Sequence, residues 1–328
     1  MTMAPPKGEE GAALLTVLLL VAVMAGLSAM ALERLRLSTH LAANSIALDQ
    51  ARAFAMAGEA VVASRIGEFA GPNIRKTTLQ GNWNGHAFRI PIPGGLAVAG
   101  IHDGGNCFNL NSVANGLAAN ELTTRPGGMA EFVGLMQAVG IDTNQAGRVA
   151  ASLADWIDAD TVPNPGGAED SDYARAARPY RTANTLIADP SELRAVAGVT
   201  PEIYAKLRPW ICALPTTDLS PLNVNTLLPT QTPLLQMLLP GQIDERRARA
   251  AIEGRPEGGW DNPSDFWSMQ ALTGLTTGEA GTQLRVKTRW FALDLDVELA
   301  GAQVAETALV DAGQAPVRIV ARRWGSDE

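Results

Sequence analysis

The sequence predicts an α+β protein in which one long N-terminal helix packs on a small antiparallel sheet, and a large all-α insertion interrupts that sheet. Three observations predict this class. Residues 11–32 carry no charge, an apolar stripe without proline follows them to residue 69, and strand-like alternation occurs on both sides of a long helical stretch. A chain of 328 residues is long enough to bury more than one core.

The first element is the apolar segment at residues 11–32, which we expect to span a membrane. About 20 residues at about 1.5 Å each cross a hydrocarbon core of about 30 Å, whereas the core of a secretory signal is usually about 7 to 15 residues long. The segment has no polar face, which argues against a buried core helix. By charge alone, Arg34 and Arg36 would place its far end in the cytoplasm.

The same helix is predicted to continue through residues 33–69 as an amphipathic half. Apolar residues recur there at spacings of three, four and seven, so one face should lie on a sheet. This stripe consists of Leu37, Leu41, Leu48, Ala55, Val62, Ile66 and Phe69.

Five segments alternate apolar and polar residues like antiparallel strands and should form one sheet. They are residues 86–92, 96–102, 283–298, 304–310 and 316–324. Because two of them precede and three follow a stretch of roughly 180 residues, that stretch is predicted to be an insertion.

The insertion is predicted to be helical and to have two halves. Helical spacing in the first half covers residues 129–139, 145–157, 189–196 and 201–207. Asp189 and Thr200 precede prolines and should cap the last two helices. The second half begins at LNVNT, and its order of helix, small turn, helix and aromatic anchor resembles a helix-hairpin-helix or SAM-like module.

An acidic stretch in the first half is the clearest chemical signal. It holds six carboxylates in 18 residues, with no lysine or arginine among them: Asp155, Asp158, Asp160, Glu169, Asp170 and Asp172. Like charges this close repel unless a cation bridges them, and carboxylate oxygens on flexible loops favour Ca²⁺. Val162 and Pro163 stand where an EF-hand needs a ligand and a glycine, so the stretch is not an EF-hand.

The expected calcium ligands are Asp158, Asp160, Glu169 and Asp170, with Asp155 or Asp172 as a further ligand or a support. A solvated acidic loop is the alternative.

Composition and motifs argue against catalysis and nucleic-acid binding. The histidines, His40, His86 and His102, lie apart in the sequence, which has neither a Gly-rich phosphate loop nor a nucleophile elbow. The net charge of −8 opposes binding to a polyanion. The basic run at residues 246–249 favours a nucleic acid, but a solvated helix face is the preferred explanation.

The N-terminus carries a resemblance to a known superfamily. A short polar leader ends in Gly11, and ALLTVLLLV then runs directly into a long helix. This arrangement resembles the class III signal of type IV pilin-like proteins, in which a leader peptidase cuts after the glycine on the cytoplasmic side. The resemblance implies a mature protein that begins at Ala12, is held in the bacterial inner membrane by a single span and lies mostly in the periplasm, against the charge count.

The fifth residue of that mature chain is Thr16, where most members of the superfamily carry Glu. A Glu buried among apolar helices is costly unless it meets a positive group, usually taken to be the N-terminal amine of a neighbouring subunit. A subunit with Thr16 has no need of a neighbour above it. The residue therefore suits a subunit that caps a filament.

Five motifs in the insertion carry a second resemblance. They are CFNLNS, DWIDAD, NPGGAEDSDY, TPEIYAKLRPWICALP and LNVNT. In this order they are similar to the motifs of the minor pseudopilin K family of the type II secretion system. The resemblance implies a structural subunit, not an enzyme, that caps or initiates the tip of a periplasmic pseudopilus and binds calcium in its inserted domain.

Expected partners are the minor pseudopilins of types I and J, the major pseudopilin and the prepilin peptidase, and no nucleic acid. The alternative is a membrane protein of the DNA-uptake type that binds nucleic acid through the helix-hairpin-helix module.

The resemblance also implies boundaries along the chain. They are a prepilin leader at 1–11, the transmembrane half of the long helix at 12–32, the pilin-like helix and first strands at 33–106, a first SAM-like domain at 107–215, a second at 216–282 and the last strands at 283–328. Cys107 and Cys212 lie near the two ends of the first SAM-like domain. In an oxidising periplasm they would either pair, closing a loop of about 100 residues, or remain two buried thiols.

Overall fold

The structure is a computed structural model and describes residues 9–325. Its α-helices, in chain order, are α1 (Glu9–Ala70), α2 (Pro126–Ala138), α3 (Thr143–Ile157), α4 (Asp170–Tyr173), α5 (Pro201–Leu207), α6 (Thr232–Gln236), α7 (Glu245–Glu253), α8 (Pro263–Trp267) and α9 (Ala280–Gln283). Its strands are β1 (Ala87–Ile92), β2 (Gly95–Asp103), β3 (Phe108–Asn109), β4 (Ala114–Asn115), β5 (Thr123–Thr124), β6 (Ile211–Cys212), β7 (Trp290–Leu299), β8 (Ala302–Asp311) and β9 (Arg318–Trp324). Short 3-10 helices cover Leu110–Val113, Ala119–Glu121, Pro190–Ala195, Arg208–Trp210 and Gln270–Leu272.

One five-stranded antiparallel sheet has the order β1-β2-β7-β8-β9. The α+β class and the single split sheet are therefore confirmed. β2 and β7 are neighbours, and Asp103 at the end of β2 pairs with Phe291 at the start of β7. The whole helical insertion therefore leaves and re-enters the sheet between two adjacent strands.

The seventh strand starts later than the sequence predicts, at Trp290 instead of residue 283. Residues ahead of it pair with the LNVNT motif: Arg285 donates its N–H to the Leu222 carbonyl, and Val224 donates to the Arg285 carbonyl. Alternating residues satisfy either pairing, so alternation alone does not say which partner a segment takes.

The long helix α1 is continuous over 62 residues and lies across the buried face of the sheet. Gly58 permits the close approach, because a Cβ there would stand 3.3 Å from Cδ2 of Leu295. The predicted stripe is wrong at its start, since Leu37 and Leu41 are exposed and the buried face begins at Ala47. A ten-residue strand is about 33 Å long and covers only about 22 helical residues, so the sheet ends before the stripe does.

The N-terminal half of α1 is exposed along its length, and α1 is long and apolar enough to cross a membrane. Gly11, Ala12 and Thr16 all lie within it. Thr16 donates its hydroxyl proton to the Ala13 carbonyl at 2.8 Å. Residues 1–8 of the predicted leader lie outside the described residues.

A charge cluster of two buried glutamates and one exposed arginine ties α1 to the sheet. Both carboxylate oxygens of Glu59 accept hydrogen bonds from Arg322 on β9, whose Nε also donates to Glu306 on β8 at 3.1 Å. Burial, and then the neighbouring Glu59, raise the pKa of Glu306 to about 8. Burial opposes ionisation of Glu59 as well, but its hydrogen bonds with Arg322 hold its pKa below the ordinary value.

The insertion has a separate hydrophobic core, in which residues from both predicted halves take part. Phe108 and Phe132 stack in the first half with ring centroids 4.8 Å apart, and Leu235 and Ile252 from the second half belong to the same core. Cys107 and Cys212 are joined by a disulfide, with their Cα atoms 5.8 Å apart. In the chain-entropy model, closing a loop of about 100 residues stabilises a fold by about 4 to 5 kcal/mol.

Candidate metal centre

The candidate centre forms where α3 ends and α4 begins. Asp142 caps the start of α3 by accepting the N–H groups of Asn144 and Gln145, and the helix then runs to Ile157 with its apolar face in the core. Asp155 and Asp158 stand three residues apart at its C-terminal end and so share a face. The PNPGG loop then turns the chain back and brings Glu169, the N-cap of α4, to the same place.

Three carboxylates converge there. One oxygen from each of Asp158, Asp160 and Glu169 lies within 4.8 Å of the other two. Asp158 and Glu169 are only 1% and 3% exposed, whereas Asp160 faces solvent. The centre is therefore a mostly buried pocket of negative charge with one open side.

Three buried oxygens at this place have no hydrogen-bond partner among the described residues: Oδ2 of Asp155, Oδ1 of Asp158 and Oε1 of Glu169. The other oxygen of each carboxylate is held in place. Asp155 accepts from the Asn164 backbone at 2.9 Å, Asp158 from the Thr124 hydroxyl at 2.9 Å, and Glu169 from the Asp170 N–H at 3.3 Å. A buried unpaired carboxylate oxygen is costly unless a proton or a cation binds it.

The pKa values of these carboxyl groups show that ionising them in this buried place is unfavourable. Burial raises the pKa of Asp158 to about 6 and that of Glu169 to about 7, and the negative charge of the neighbouring aspartates adds to both shifts. Burial also raises the pKa of Asp155, against its hydrogen bonds with Asn164. A bound cation would reverse these shifts, because it favours the ionised form of every carboxylate around it.

The remaining two predicted residues, Asp170 and Asp172, do not join the convergent group. Asp170 accepts hydrogen bonds from the backbone and hydroxyl of Thr182, which lower its pKa. Asp172 accepts the Glu169 N–H in a capping box at the start of α4 and pairs with Arg175. Both carboxylates shape the loop that presents Glu169.

Sequence reasoning missed three residues that build the centre: Thr124, Asn164 and Gly167. Thr124 and Asn164 each hold one oxygen of a buried aspartate, and Asn164 also donates to the Thr124 hydroxyl. Gly167 makes room for Asp155, because a Cβ there would overlap Oδ2 of that residue. The only signal in the sequence is the PNPGG turn; Thr124 lies far upstream and carries none.

The donor set fits a hard cation. The convergent group contains carboxylates without histidine or cysteine. Such oxygen donors suit Ca²⁺, which takes six to eight oxygen ligands at about 2.3–2.6 Å, rather than zinc.

Two arginines of the basic run that favoured a nucleic acid have partners within the protein. Arg247 donates to the backbone carbonyls of Gln242, Ala271 and Thr273, and Arg249 pairs with Glu245 one turn earlier. Arg246 and Arg249 are exposed, as a solvated helix face predicts, whereas Arg247 is half-buried and packs against the protein.

The long helix laid across an antiparallel sheet, with a helical insertion between two adjacent strands, defines a pilin-like protein with an inserted domain, and the helix is long and apolar enough to cross a membrane. Two family models, both described as "Type II secretion system (T2SS), protein K", match residues 106–216 and 222–287. The chain belongs to the type II secretion system protein K family.

Relatives and a solved structure agree with this family. The type II secretion system protein K of Pectobacterium carotovorum is 33% identical to this chain, and that of Klebsiella pneumoniae is 32% identical to it. Each match covers 97% of both chains. The protein K of Pseudomonas aeruginosa is 30% identical, over 97% of this chain and 94% of its own. In the crystal structure of the GspK-GspI-GspJ complex from enterotoxigenic Escherichia coli, one chain matches with a TM-score of 0.75 and 27% identity, over 85% of this chain and 97% of that one.

Proposed function

We propose that this protein is a minor pseudopilin that caps or initiates the tip of a periplasmic pseudopilus and acts by assembly, not catalysis. The observation that carries the proposal is the likeness to a chain of the GspK-GspI-GspJ complex over nearly the whole of that chain. By this likeness its partners are minor pseudopilins of types I and J. Two further proposed partners are the major pseudopilin, on which such a tip would stand, and the prepilin peptidase.

The tip position is supported by Thr16. Its hydroxyl is satisfied by the Ala13 carbonyl of its own helix, so it requires no group from another subunit. A buried Glu at this position would require a positive partner from a neighbour.

In this proposal the bulk of the protein lies in the periplasm, and its leader is removed on the cytoplasmic side. The peptidase would cut between Gly11 and Ala12 on the cytoplasmic side and leave the apolar half of α1 in the inner membrane. The test is the N-terminus of the protein isolated from membranes: mass spectrometry should find Ala12 as the first residue in the wild type and an uncut leader in Gly11→Val. Normal cutting of Gly11→Val, or an intact Met1 in the wild type, would contradict the proposal.

The inserted domain would use the candidate centre to hold a structural calcium ion. The unpartnered buried oxygens support Asp158, Glu169 and Asp155, and the exposed Asp160 would close the open side. Asp170 and Asp172 would contribute mainly by holding the loop. The ion would neutralise the carboxylates that otherwise repel each other across the PNPGG turn.

Thermal melting of the full chain in detergent tests the calcium site. A ligand that binds only the folded state stabilises it by about 2.7 kcal/mol at a hundredfold excess over Kd. Calcium should raise the melting midpoint of the wild type and of the control Glu253→Gln, but not that of Asp160→Asn combined with Glu169→Gln. An Asp170→Asn variant that keeps the full calcium effect would show that the Asp170 carboxylate is not a ligand. An equal rise in the double variant would exclude this site.

A further inference from the structure

A cleft of about 390 Å³ opens where the connection between the two helical halves passes the segment that returns to the sheet. Its walls include Thr216, Asp218, Gln283 and Trp290, and four cationic side chains reach it. These are Arg125, Arg285, Lys287 and Arg289. The cleft shares no residue with the candidate metal centre, although Arg125 directly follows Thr124 in the chain.

The charge of this basic cleft runs against the rest of the molecule. The chain as a whole has a net charge of −8, yet four cations line the cleft and Asp218 is the one carboxylate among its lining residues. Of the four cations, Arg289 is paired with a carboxylate, that of Asp311. Its positive charge is therefore largely balanced, and the other three set the potential of the cleft.

Those three cations are bound by neutral groups. Arg125 donates to the Thr217 carbonyl at 2.9 Å and to the Asn115 side chain at 2.7 Å. Arg285 donates from Nη1 alone, to carbonyls that include that of Leu284 at 2.9 Å. A guanidinium has five N–H donors, so each of these arginines keeps donors that no described residue accepts.

The third cation, Lys287, is partly buried and, within the described part of the chain, contacts only neutral groups. Its ammonium donates to the carbonyls of Gly71 and Pro72 just beyond α1 at 2.8 and 3.3 Å. Partial burial lowers its pKa, because no carboxylate among residues 9–325 contacts it to offset the loss of water. An anion in the cleft would supply the missing counter-charge to all three side chains at once.

We propose that the basic cleft binds an acidic peptide segment of a partner protein. A volume of 390 Å³ lies in the range of ligand sites, about 300 to 1,000 Å³, and equals roughly the room of a dozen waters. That is more than a single small anion fills. Leu219, Pro221 and Trp290 add an apolar wall, which suits the methylene groups of glutamate side chains and offers nothing to a bare inorganic ion.

The experiment measures binding of a fluorescein-labelled hexaglutamate peptide to the full chain in non-ionic detergent by fluorescence anisotropy. Calcium is in excess in every sample, so that the acidic loop is in the same state throughout. The variants are Arg285→Gln, which removes a charge held only by carbonyls, Arg285→Lys, which keeps it, and Lys287→Gln. The matched control is Arg318→Gln, an exposed arginine on β9.

The wild type should bind the peptide, with affinity that falls as salt rises. Arg285→Gln and Lys287→Gln should each weaken binding by about tenfold, as expected for loss of one charge contact with the bound peptide, whereas Arg285→Lys and Arg318→Gln should stay within about twofold. Melting curves establish whether each variant is folded. If Arg285→Gln does not fold, the comparison uses Lys287→Gln.

Absence of binding to the wild type, or equal weakening by Arg318→Gln, would overturn the proposal. A further arm uses inorganic sulfate as the competitor. If sulfate binds as tightly as the peptide and displaces it completely, the cleft takes a small anion and the peptide assignment is wrong.

Discussion

Asn106 and Asn223 hydrogen-bond to each other in both directions, although 117 residues separate them. The Asn106 side chain accepts the Asn223 N–H at 2.8 Å and donates to the Asn223 carbonyl at 3.4 Å. The Asn223 side chain in turn donates to the Thr77 carbonyl and the Thr288 hydroxyl. The LNVNT motif therefore fastens the insertion to the base of the sheet.

Asn223→Ala should lower the free energy of unfolding by about 3 kcal/mol, because it leaves the buried carbonyl of Thr77 and the buried N–H of Asn225 without their partner. Denaturant unfolding measures the change. The exposed Asn120 provides the control, and Asn120→Ala should stay within about 0.5 kcal/mol of the wild type. Equal effects of the two variants would show that this junction contributes no special stability.

The stability gained from calcium should depend on pH. Asp158 and Glu169 have pKa values of about 6 and about 7 in the folded chain, above their values in an unfolded chain. Without calcium they favour the folded state at low pH, and this stability is lost as pH rises through 6 to 7. Calcium needs the ionised carboxylates, so the gap between midpoints with calcium and with chelator should widen over the same range.

Melting of the full chain across this pH range, with calcium and with chelator, provides the measurement. Glu131 and Glu306, whose pKa values are also raised to about 7 and about 8, titrate in both samples, so the difference isolates the metal centre. The variant Asp160→Asn combined with Glu169→Gln should show no gap. A gap that is the same at every pH would contradict the role of these carboxylates.

Gly167→Ala should weaken calcium binding by about 10- to 100-fold, as changes behind the direct ligands often do, because the new methyl group displaces the Asp155 carboxylate. The matched control is Gly147→Ala in α3, where a Cβ meets no other atom within 4 Å. Calorimetric titration with calcium distinguishes the two. Wild-type affinity in Gly167→Ala would mean that Asp155 has no part in the centre.

Arg322→Ala should lower the free energy of unfolding by about 3 to 5 kcal/mol at neutral pH, since it leaves Glu59 buried without its counter-charge. The deficit should shrink below about pH 5, because protonation of Glu59 removes the stability that its lowered pKa provides. Denaturant titrations at both pH values provide the measurement, with the exposed Arg318→Ala as control. A pH-independent deficit would show that lost packing, not charge, is responsible.

Thr16→Glu should be processed normally yet change the initiation or length of the filament, because it creates a carboxylate in the membrane that seeks a neighbour above it. Thr39→Glu is the matched control, since Thr39 makes the same kind of hydroxyl bond, to the Arg36 carbonyl, beyond the apolar segment. Secretion assays and filament length in cells provide the readout. Unchanged filaments in Thr16→Glu would remove the support for a tip position.

The elements of the fold could be predicted because their signals are local. The charge-free segment and the alternation around Leu293 and Leu295 follow directly from periodicity. The point where α1 meets the sheet could not, because the exposure of Leu41 depends on how far the strands reach. Arg285 illustrates the same limit, since its segment chooses between two partners that only the folded chain brings near.

The metal centre could be predicted in part for a similar reason. Asp158, Asp160 and Glu169 stand out as carboxylates without nearby cations, and their repulsion demands an explanation in any fold. Asp172 has the same sequence signal but serves as a capping residue, which depends on where α4 begins. Thr124 contributes a hydroxyl from a distant strand, and neutral polar residues give no sign of such a role.

Seen from the sheet, β2 and β7 form a β-hairpin whose loop is an entire folded domain. About 190 residues connect Asp103 to Phe291, and closing so long a flexible loop in place of a tight turn would cost about 3 kcal/mol. The insertion offsets this entropy only while it is folded. Loss of its tertiary structure would therefore weaken strand pairing in the sheet beneath α1, so the two cores are thermodynamically coupled through the chain that links them.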